Sequence, residues 1–390
     1  TPVIFFPPIS ANATVTPPVT INTPFRLGPS DPSLAGYTPR DPLGRAFRTP
    51  DFHNSQAPYV YQWNFNLQYQ LQTDLVVEAA YSGNKGNRMV NRLDRNQIRF
   101  EDAMAGRNRQ ENRPFAFINN NIGFDTANGS NIYNSLNLRV EKRHRSGVNF
   151  LANYTWSKNL EANGSGSSAW TQNGGTTYPL DSYNLRKERS YAPLDVPHVF
   201  VFSGGYELPF GPGKPWLNRK GVPNHLFGGW QVNGIFTTQS GFPSDIRSNR
   251  VASSNQLFTR INVPDRVSGV SMHLPNPGVD GYFNAAAFTE PVQVRSATGV
   301  PITLFGNSAR RVARGPGSSN ADFSLFKSFA LRESFQLQFR AEAFNLTNTP
   351  TFFLPSATNQ ALTTGNPNFG KLTGSSATGR QLQFGLKLVF

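Results

Sequence analysis

The sequence has no cysteine among its 390 residues, and it is short of charged and of apolar residues. The missing cysteine excludes disulfides, thiolate metal sites and cysteine nucleophiles. Charged residues make up 15% and apolar residues 37%, whereas soluble domains typically have about 25% and about 45–50%. No apolar run reaches the ~18 residues of a membrane-spanning helix. No signal peptide is visible from Thr1 onward, so we expect any export signal to lie upstream.

Acidic residues are also scarce, with 23 Asp and Glu against 37 Lys and Arg, for a formal net charge of +14. A strong positive charge can mark a nucleic-acid-binding protein. Here the basic residues are scattered, and their clusters, at 142–145 and 310–314, are short. We therefore expect no nucleic-acid partner. Basic loops could also meet lipid phosphates or an anionic solute, but a solvated loop surface is the favoured interpretation.

The chain divides into two regions of different composition. Residues 1–58 are rich in proline, which prevents long helices and central strands. We predict an extended loop there. From residue 59 onward, apolar and polar residues alternate over long stretches, which is typical of strands with one apolar and one polar face. We therefore predict that 59–390 consists of antiparallel strands.

The alternation is clearest in 62–71, where Trp63, Phe65, Leu67, Tyr69 and Leu71 alternate with Gln and Asn. Strands are also predicted at 74–83, 131–143, 147–158, 197–208, 229–240, 321–331, 334–347 and 380–390. The most regular ones run to about 10–14 residues, which exceeds the ~5–6 residues usual in soluble proteins. The length fits the ~9–11 tilted residues that cross a bilayer.

The connections between these strands alternate between short and long. The short ones are 72–73, 144–146, 209–228 and 332–333, and the long ones are 84–130, 159–196, 241–320 and 348–379. Outer-membrane barrels have short periplasmic turns and long extracellular loops. The predicted fold is therefore all-β, an antiparallel transmembrane β-barrel. An odd number of strands indicates a part of a larger barrel, because complete bacterial barrels have an even number.

Four charged residues on the polar faces are candidates for facing the lumen: Arg139, Glu141, Arg340 and Glu342. They could contact a solute or a plug. Cross-strand ion pairing that closes the barrel wall is the favoured alternative.

Aromatic residues near the strand ends predict the girdles that flank the lipid-facing band of such barrels. Trp63, Tyr133, Tyr154 and Trp156 are expected at the extracellular rim, and Tyr206 and Phe390 at the periplasmic rim. The alternative is an aromatic core between the sheets of a soluble sandwich.

No motif in the chain predicts catalysis. The segment 211–215 (GPGKP) lacks the spacing of a phosphate-binding loop, and Pro212 and Pro215 remove two amide donors. The five histidines are dispersed, and no calcium-loop pattern is present. We predict a protein that is not an enzyme and needs no cofactor or metal.

Several ordered blocks, at 58–88, 135–160, 198–216, 228–243 and 321–352, resemble the barrel of Oar-like TonB-dependent outer-membrane transporters. The closing FGLKLVF (384–390) resembles the C-terminal signal, ending in an aromatic residue such as Phe390, that the barrel assembly machinery recognises. The resemblance implies a bacterial outer-membrane barrel of about 22 strands with a plug in its lumen. It also implies uptake of an unknown bulky solute, with energy supplied through TonB.

This chain departs from the family pattern in showing no plug and no segment that would contact TonB, so a plug would have to come from outside these residues. The alternative function is a structural or adhesive extracellular β-protein, which would assemble through exposed strand edges.

Overall fold

The computed structural model describes residues 47–107, 110–116, 118, 121–162, 178–218, 221–250, 262–332, 335–353, 362–376 and 378–389. The predictions for 1–46 and for Phe390 lie outside these residues. No helix within them is long and apolar enough to cross a membrane.

The described residues form nineteen strands, two short α-helices and three 3-10 turns. The helices are α1 (Phe100–Met104) and α2 (Val222–Phe227), and the 3-10 turns are Gln110–Asn112, Leu185–Glu188 and Ala285–Ala287. The strands are β1 (Phe47–Pro50), β2 (Tyr59–Gln72), β3 (Leu75–Asp94), β4 (Ile122–Arg145), β5 (Val148–Glu161), β6 (Ser190–Tyr191), β7 (His198–Glu207), β8 (Trp230–Gln239), β9 (Pro243–Ser244), β10 (Asp265–Arg266), β11 (His273–Gly278), β12 (Gly281–Phe283), β13 (Phe288–Thr289), β14 (Gln293–Arg295), β15 (Pro301–Thr303), β16 (Ala313–Arg314), β17 (Ser318–Arg332), β18 (Phe335–Phe344) and β19 (Gln381–Val389).

Eleven of these strands form one large sheet, whose main path runs β2-β3-β4-β5-β7-β8-β17-β18-β19. Each neighbouring pair on this path is antiparallel. The sheet is open, since β2 and β19 end the path and are not paired with each other in the described part of the chain. All nine strands of the path match predicted strands. The predicted all-β, antiparallel architecture is thus confirmed.

Two strands are longer than the sequence pattern indicated. β3 and β4 have 20 and 24 residues, and their extra halves pair with each other through irregular registers around Met89 and Gly129. Strict alternation is lost there because bulges shift the pleat. The predicted 84–130 connection therefore shortens to 95–121.

The Pro-rich region also contains a strand that was not predicted. β1 pairs in parallel with the first residues of β4, from Phe47 opposite Ile122 to Pro50 opposite Asp125. Pro50 is tolerated because it ends a short strand that lies off the main path.

Two-residue turns link β2 to β3 and β4 to β5 at one end of the sheet, as predicted, whereas the connection between β7 and β8 at the same end spans 208–229 and contains α2. β4 and β5 are joined at Ser146 and Gly147, which have φ angles of 55° and 83°. Two consecutive positive φ angles are the geometry of a tight type I′ hairpin turn. All the long connections emerge at the opposite end, the predicted extracellular one.

Candidate functional site: a polar wall under an ordered loop cap

The strand registers sort side chains onto two faces, because residues directly opposite one another in an antiparallel sheet lie on the same face. One face, called the polar wall here, is built mainly from amide, hydroxyl and charged residues. One of its rows crosses six strands, as Asn149, Gly205, Asn233, Ser324, Glu342 and Gln383. A second row crosses four, as Gln68, Glu78, Arg139 and Asn153.

Arg139 and Glu141 lie together on the polar wall. Arg139 Nη2 is 2.7 Å from Glu141 Oε2, and its Nη1 is 3.7 Å from Glu78 Oε2 on the neighbouring strand. Only the contact with Glu78 joins two strands, because Arg139 and Glu141 both lie in β4. The same wall forms a broad concavity that also includes Asn149 and Asn233.

Arg340 and Glu342 share this face but lie far from the first pair. Four strands of the sheet separate β4 from β18, which is roughly 24 Å at the usual strand spacing. Arg340 donates from Nε to Gln338 Oε1 at 2.8 Å, and its guanidinium lies over the Phe326 ring. The structure therefore does not gather the four predicted lumenal charges into one cluster.

The opposite face, called the aromatic face here, carries most of the predicted girdle residues. Tyr154 and Trp156 lie on it beside His198, whose Nδ1 is 2.8 Å from the Tyr154 hydroxyl. The Trp63 indole lies on it over Gly83, where a Cβ atom would come within 2.6 Å of the ring. A larger residue at position 83 would force the Trp63 indole to move. Tyr206 lies on the same face at the other end of the sheet, opposite Val148 and Val232.

Tyr133 lies on the wrong face for the predicted girdle. Its register partners are Asn84 and Asn159, so it shares the polar wall with Arg139. The sequence pattern missed this because Tyr133 comes where Asn131, Asn134 and Ser135 interrupt the alternation.

The long connections pack into an ordered structure, which we call the cap. Its apolar contacts join segments far apart in the chain: Ile98 and Ala103 pack with Ile302, and Leu180 packs with Val263. The largest cluster comes from the connection after β8 and from the one after β18, and consists of Ile246, Phe283, Ala287, Phe288, Ala313, Leu362 and Phe369. The regions predicted as loops thus hold the buried apolar clusters of the described chain.

Two neighbouring arginines connect the parts of the cap. Arg310 and Arg311 are only 1% and 4% exposed. Arg310 lies 2.5 Å from Glu188 and 3.3 Å from Asp245, and Arg311 lies 2.8 Å from Glu161. The favoured interpretation of the 310–314 cluster as a solvated surface is therefore wrong for these two residues. The signal that could have shown this is the matching set of acidic residues in other connections, whose pairing a sequence does not reveal.

The ion pair with Glu161 shows on which side of the sheet the cap lies. Glu161 ends β5 and lies opposite Asn131, on the face of the polar wall. Arg311 reaches it from the connection after β8, so the cap meets the polar wall at the extracellular end. Burial alone would raise the pKa of Asp245, but the charges of Arg310 and Arg311 hold it below its usual value of 3.8. An ionised Asp245 therefore belongs to the folded cap.

Within the described residues, no group of three or more His, Asp or Glu side chains is placed to hold a metal ion. The polar wall instead offers dispersed hydrogen-bonding groups, which suits contact with a large polar surface.

Several solved structures resemble the chain at low sequence identity. The outer membrane transporter YddB from Escherichia coli is 11% identical, with a TM-score of 0.41 over 89% of this chain and 34% of its own. The ferric-catecholate import receptor Fiu from E. coli K12 is 12% identical, with a TM-score of 0.38 over 85% and 27%. BauA, the ferric preacinetobactin receptor from Acinetobacter baumannii, is 8% identical, with a TM-score of 0.37 over 84% and 29%. The chain thus spans about a third or less of each.

No curated protein matches the sequence. The model of the family described as "outer membrane beta barrel domain" matches residues 3–383, which is nearly the whole chain. This match agrees with the open antiparallel sheet, its two chemically distinct faces and the outer-membrane location predicted from the sequence. The chain belongs to the outer membrane β-barrel family and is located in the bacterial outer membrane.

Proposed function

We propose that the chain is part of an outer-membrane receptor barrel that takes up a bulky solute with energy from TonB. The observation that carries this proposal is the polar wall, which continues across nine strands and is met at its extracellular end by the cap. Amide and hydroxyl groups spread over such a wall can bind a large polar solute, or a plug, without a single deep pocket. TonB would act through a plug that is not among these residues.

Uptake by cells that produce the full-length protein tests this proposal. Labelled solutes too large for porins, namely oligosaccharides, peptides and metal chelates, are supplied to cells with and without TonB. We expect at least one solute to accumulate only when both the protein and TonB are present. Accumulation that persists without TonB would refute the energy coupling, and no accumulation of any solute would refute the receptor.

A matched pair of variants tests the role of the polar wall. Arg139→Gln removes a half-exposed charge, whose ion pair contributes only about 0–1 kcal/mol, so the barrel should still fold. Lys85→Gln removes an exposed charge from the aromatic face, where Lys85 lies opposite Tyr61 and Ile132. We expect the first variant to need more solute for half-maximal uptake and the second to match the wild type. Equal uptake by both variants would remove Arg139 from the site.

We also propose that the barrel assembly machinery recognises the C-terminal segment ending in Phe390, and that the chain works without catalysis or a cofactor. Deletion of Phe390 should lower the amount of folded protein in the outer membrane, as measured by heat-modifiable migration in gels. Unchanged assembly would show that the segment is not the signal.

A second function is favoured by one observation, namely the unpaired edges of β2 and β19 in the described sheet. Such edges can pair with strands of other molecules. A structural or adhesive protein would then form regular polymers outside the cell. Electron microscopy of culture medium and of outer membranes separates the two proposals, because the receptor should be found only in the membrane.

A further inference from the structure

The connection between β7 and β8 differs from the other periplasmic connections in length and in surface. It spans 208–229 and contains α2, whereas β2 and β3, or β4 and β5, are joined by two residues. Five of its apolar side chains are exposed: Trp216, Leu217, Val222, Leu226 and Phe227. Exposed apolar groups gathered in one segment mark an interaction surface.

Hydrogen bonds hold the end of α2 beside the aromatic face of the sheet. Trp230 and Lys327 lie opposite each other on β8 and β17. They are on the aromatic face because each is two residues from Val232 or Leu325, which are on that face. Trp230 Nε1 donates to the Leu226 carbonyl at 2.9 Å, and Lys327 Nζ donates to the Gly228 carbonyl at 2.5 Å. The exposed surface is therefore continuous with the face that meets lipid in the outer membrane.

The backbone at this junction is closely constrained. Gly229 has a φ of 74°, and a Cβ atom on it would lie 2.7 Å from the Ser328 carbonyl oxygen. On the other arm of the connection, Lys214 lies 2.6 Å from Glu207. The connection is thus fixed to both of its strands, and α2 has a defined position at the periplasmic rim.

The segment carries positive charges but no negative ones, because residues 208–229 contain basic residues but no Asp or Glu. A short apolar surface with basic neighbours is the composition that lies in a membrane interface, with apolar groups among acyl chains and basic groups near phosphates. Tryptophan is also favoured at this depth.

We propose that the β7–β8 connection is an interfacial anchor, in which Val222, Leu226 and Phe227 insert into the inner leaflet of the outer membrane beside its phospholipid headgroups. Lys327 supports the anchor from the barrel: its buried side chain extends between the Trp230 and Phe329 rings and ends on the Gly228 carbonyl. This interaction goes beyond solute uptake and does not depend on it.

Single-cysteine labelling of the full-length protein tests the anchor, provided that any cysteine outside these residues is first replaced, since these residues contain none. Leu226→Cys carries an environment-sensitive fluorophore, and Val292→Cys in the cap is the control, because both native side chains are 58% exposed. Leu386→Cys, on the aromatic face of β19, reports the position of a lipid-facing strand residue. The labelled proteins are reconstituted into vesicles of phosphatidylethanolamine and phosphatidylglycerol that contain phospholipids brominated at defined depths.

We expect the label at 226 to emit at shorter wavelength than the label at 292, and to lose most emission with bromines near the headgroups. The label at 386 should respond more strongly to bromines deeper in the chains. A label at 226 that stays water-like and is quenched by iodide would overturn the proposal. Shielding from iodide without bromine quenching would overturn it as well, because protein and not lipid would then cover α2.

Discussion

At the scale of single residues, Arg310 and Arg311 hold the cap together, since both are buried and each pairs with an acidic residue of another segment. Alternation along β4 predicts that Arg139 and Glu141 share one face, because the face of a strand residue depends only on its local register. The roles of Arg310 and Arg311 depend on Glu188, Asp245 and Glu161, which lie in three other segments. Such pairings arise only when the connections fold together, so no local pattern reveals them.

Substitution of Arg310 tests how strongly this network holds the cap. Arg310→Leu leaves Glu188 buried without its cation and Asp245 with the charge of Arg311 alone. The loss of one partner of a buried pair costs about 3–5 kcal/mol. We expect faster hydrogen exchange and proteolysis in the cap but not in the strands.

The control for this test is Arg107→Leu, because Arg107 pairs with Asp102 on the surface. That change should cost only about 0–1 kcal/mol. Equal protection of the cap in the two variants would contradict a structural role for Arg310.

At the scale of elements, the long regular strands were predictable and the cap was not. The 14 residues of β2 alternate almost without interruption, so the sequence alone indicates the strand and its two faces. The far halves of β3 and β4 contain bulges, and the strands of the cap have only 2–6 residues. Their order comes from apolar clusters that join distant connections, which a pattern of local alternation does not contain.

Acid should loosen the cap before the strands. The pKa of Asp245 is lowered by Arg310 and Arg311, which outweigh the effect of burial. The pKa of Glu290 is also lowered, since hydrogen bonds from Ser248 and Thr364 outweigh its burial. A carboxylate whose pKa is lowered by folding stabilises the folded protein at pH values above its pKa in the unfolded chain. This stabilisation is lost as the pH falls through its pKa in the folded protein. The loss should begin below about pH 4.

Pepsin digestion and hydrogen exchange at pH 5 and pH 3 measure this effect on residues 241–250 and 288–295. Wild-type protection should fall between the two pH values. Asp245→Asn should be less stable at pH 7 and should change less between pH 5 and pH 3. Protection that is the same at both pH values in the wild type would show that these carboxylates do not stabilise the cap.

At the scale of the whole molecule, the open sheet leaves two strand edges, β2 and β19, that need hydrogen-bonding partners in a membrane. β2 and β19 are the first and last of nine antiparallel strands, so they run in the same direction and cannot close an antiparallel barrel on each other. Backbone N–H and C=O groups left unpaired in lipid cost several kcal/mol each, which is why membrane barrels have no edges. Each edge must therefore pair with a strand outside this sheet when the protein is in the membrane.

Hydrogen exchange of the full-length protein in outer membranes tests that requirement. We expect the outward amides of β2 and β19 to be as protected as those of β5 and β7, which have partners on both sides. The 390-residue chain alone, refolded in detergent, provides the comparison, and its outward edge amides should exchange much faster. Fast exchange at both edges in native membranes would mean that the sheet stays open there, and that the edges are free for the intermolecular pairing of a structural protein. Protection at both edges would favour the receptor, because it is the outcome that a closed barrel requires.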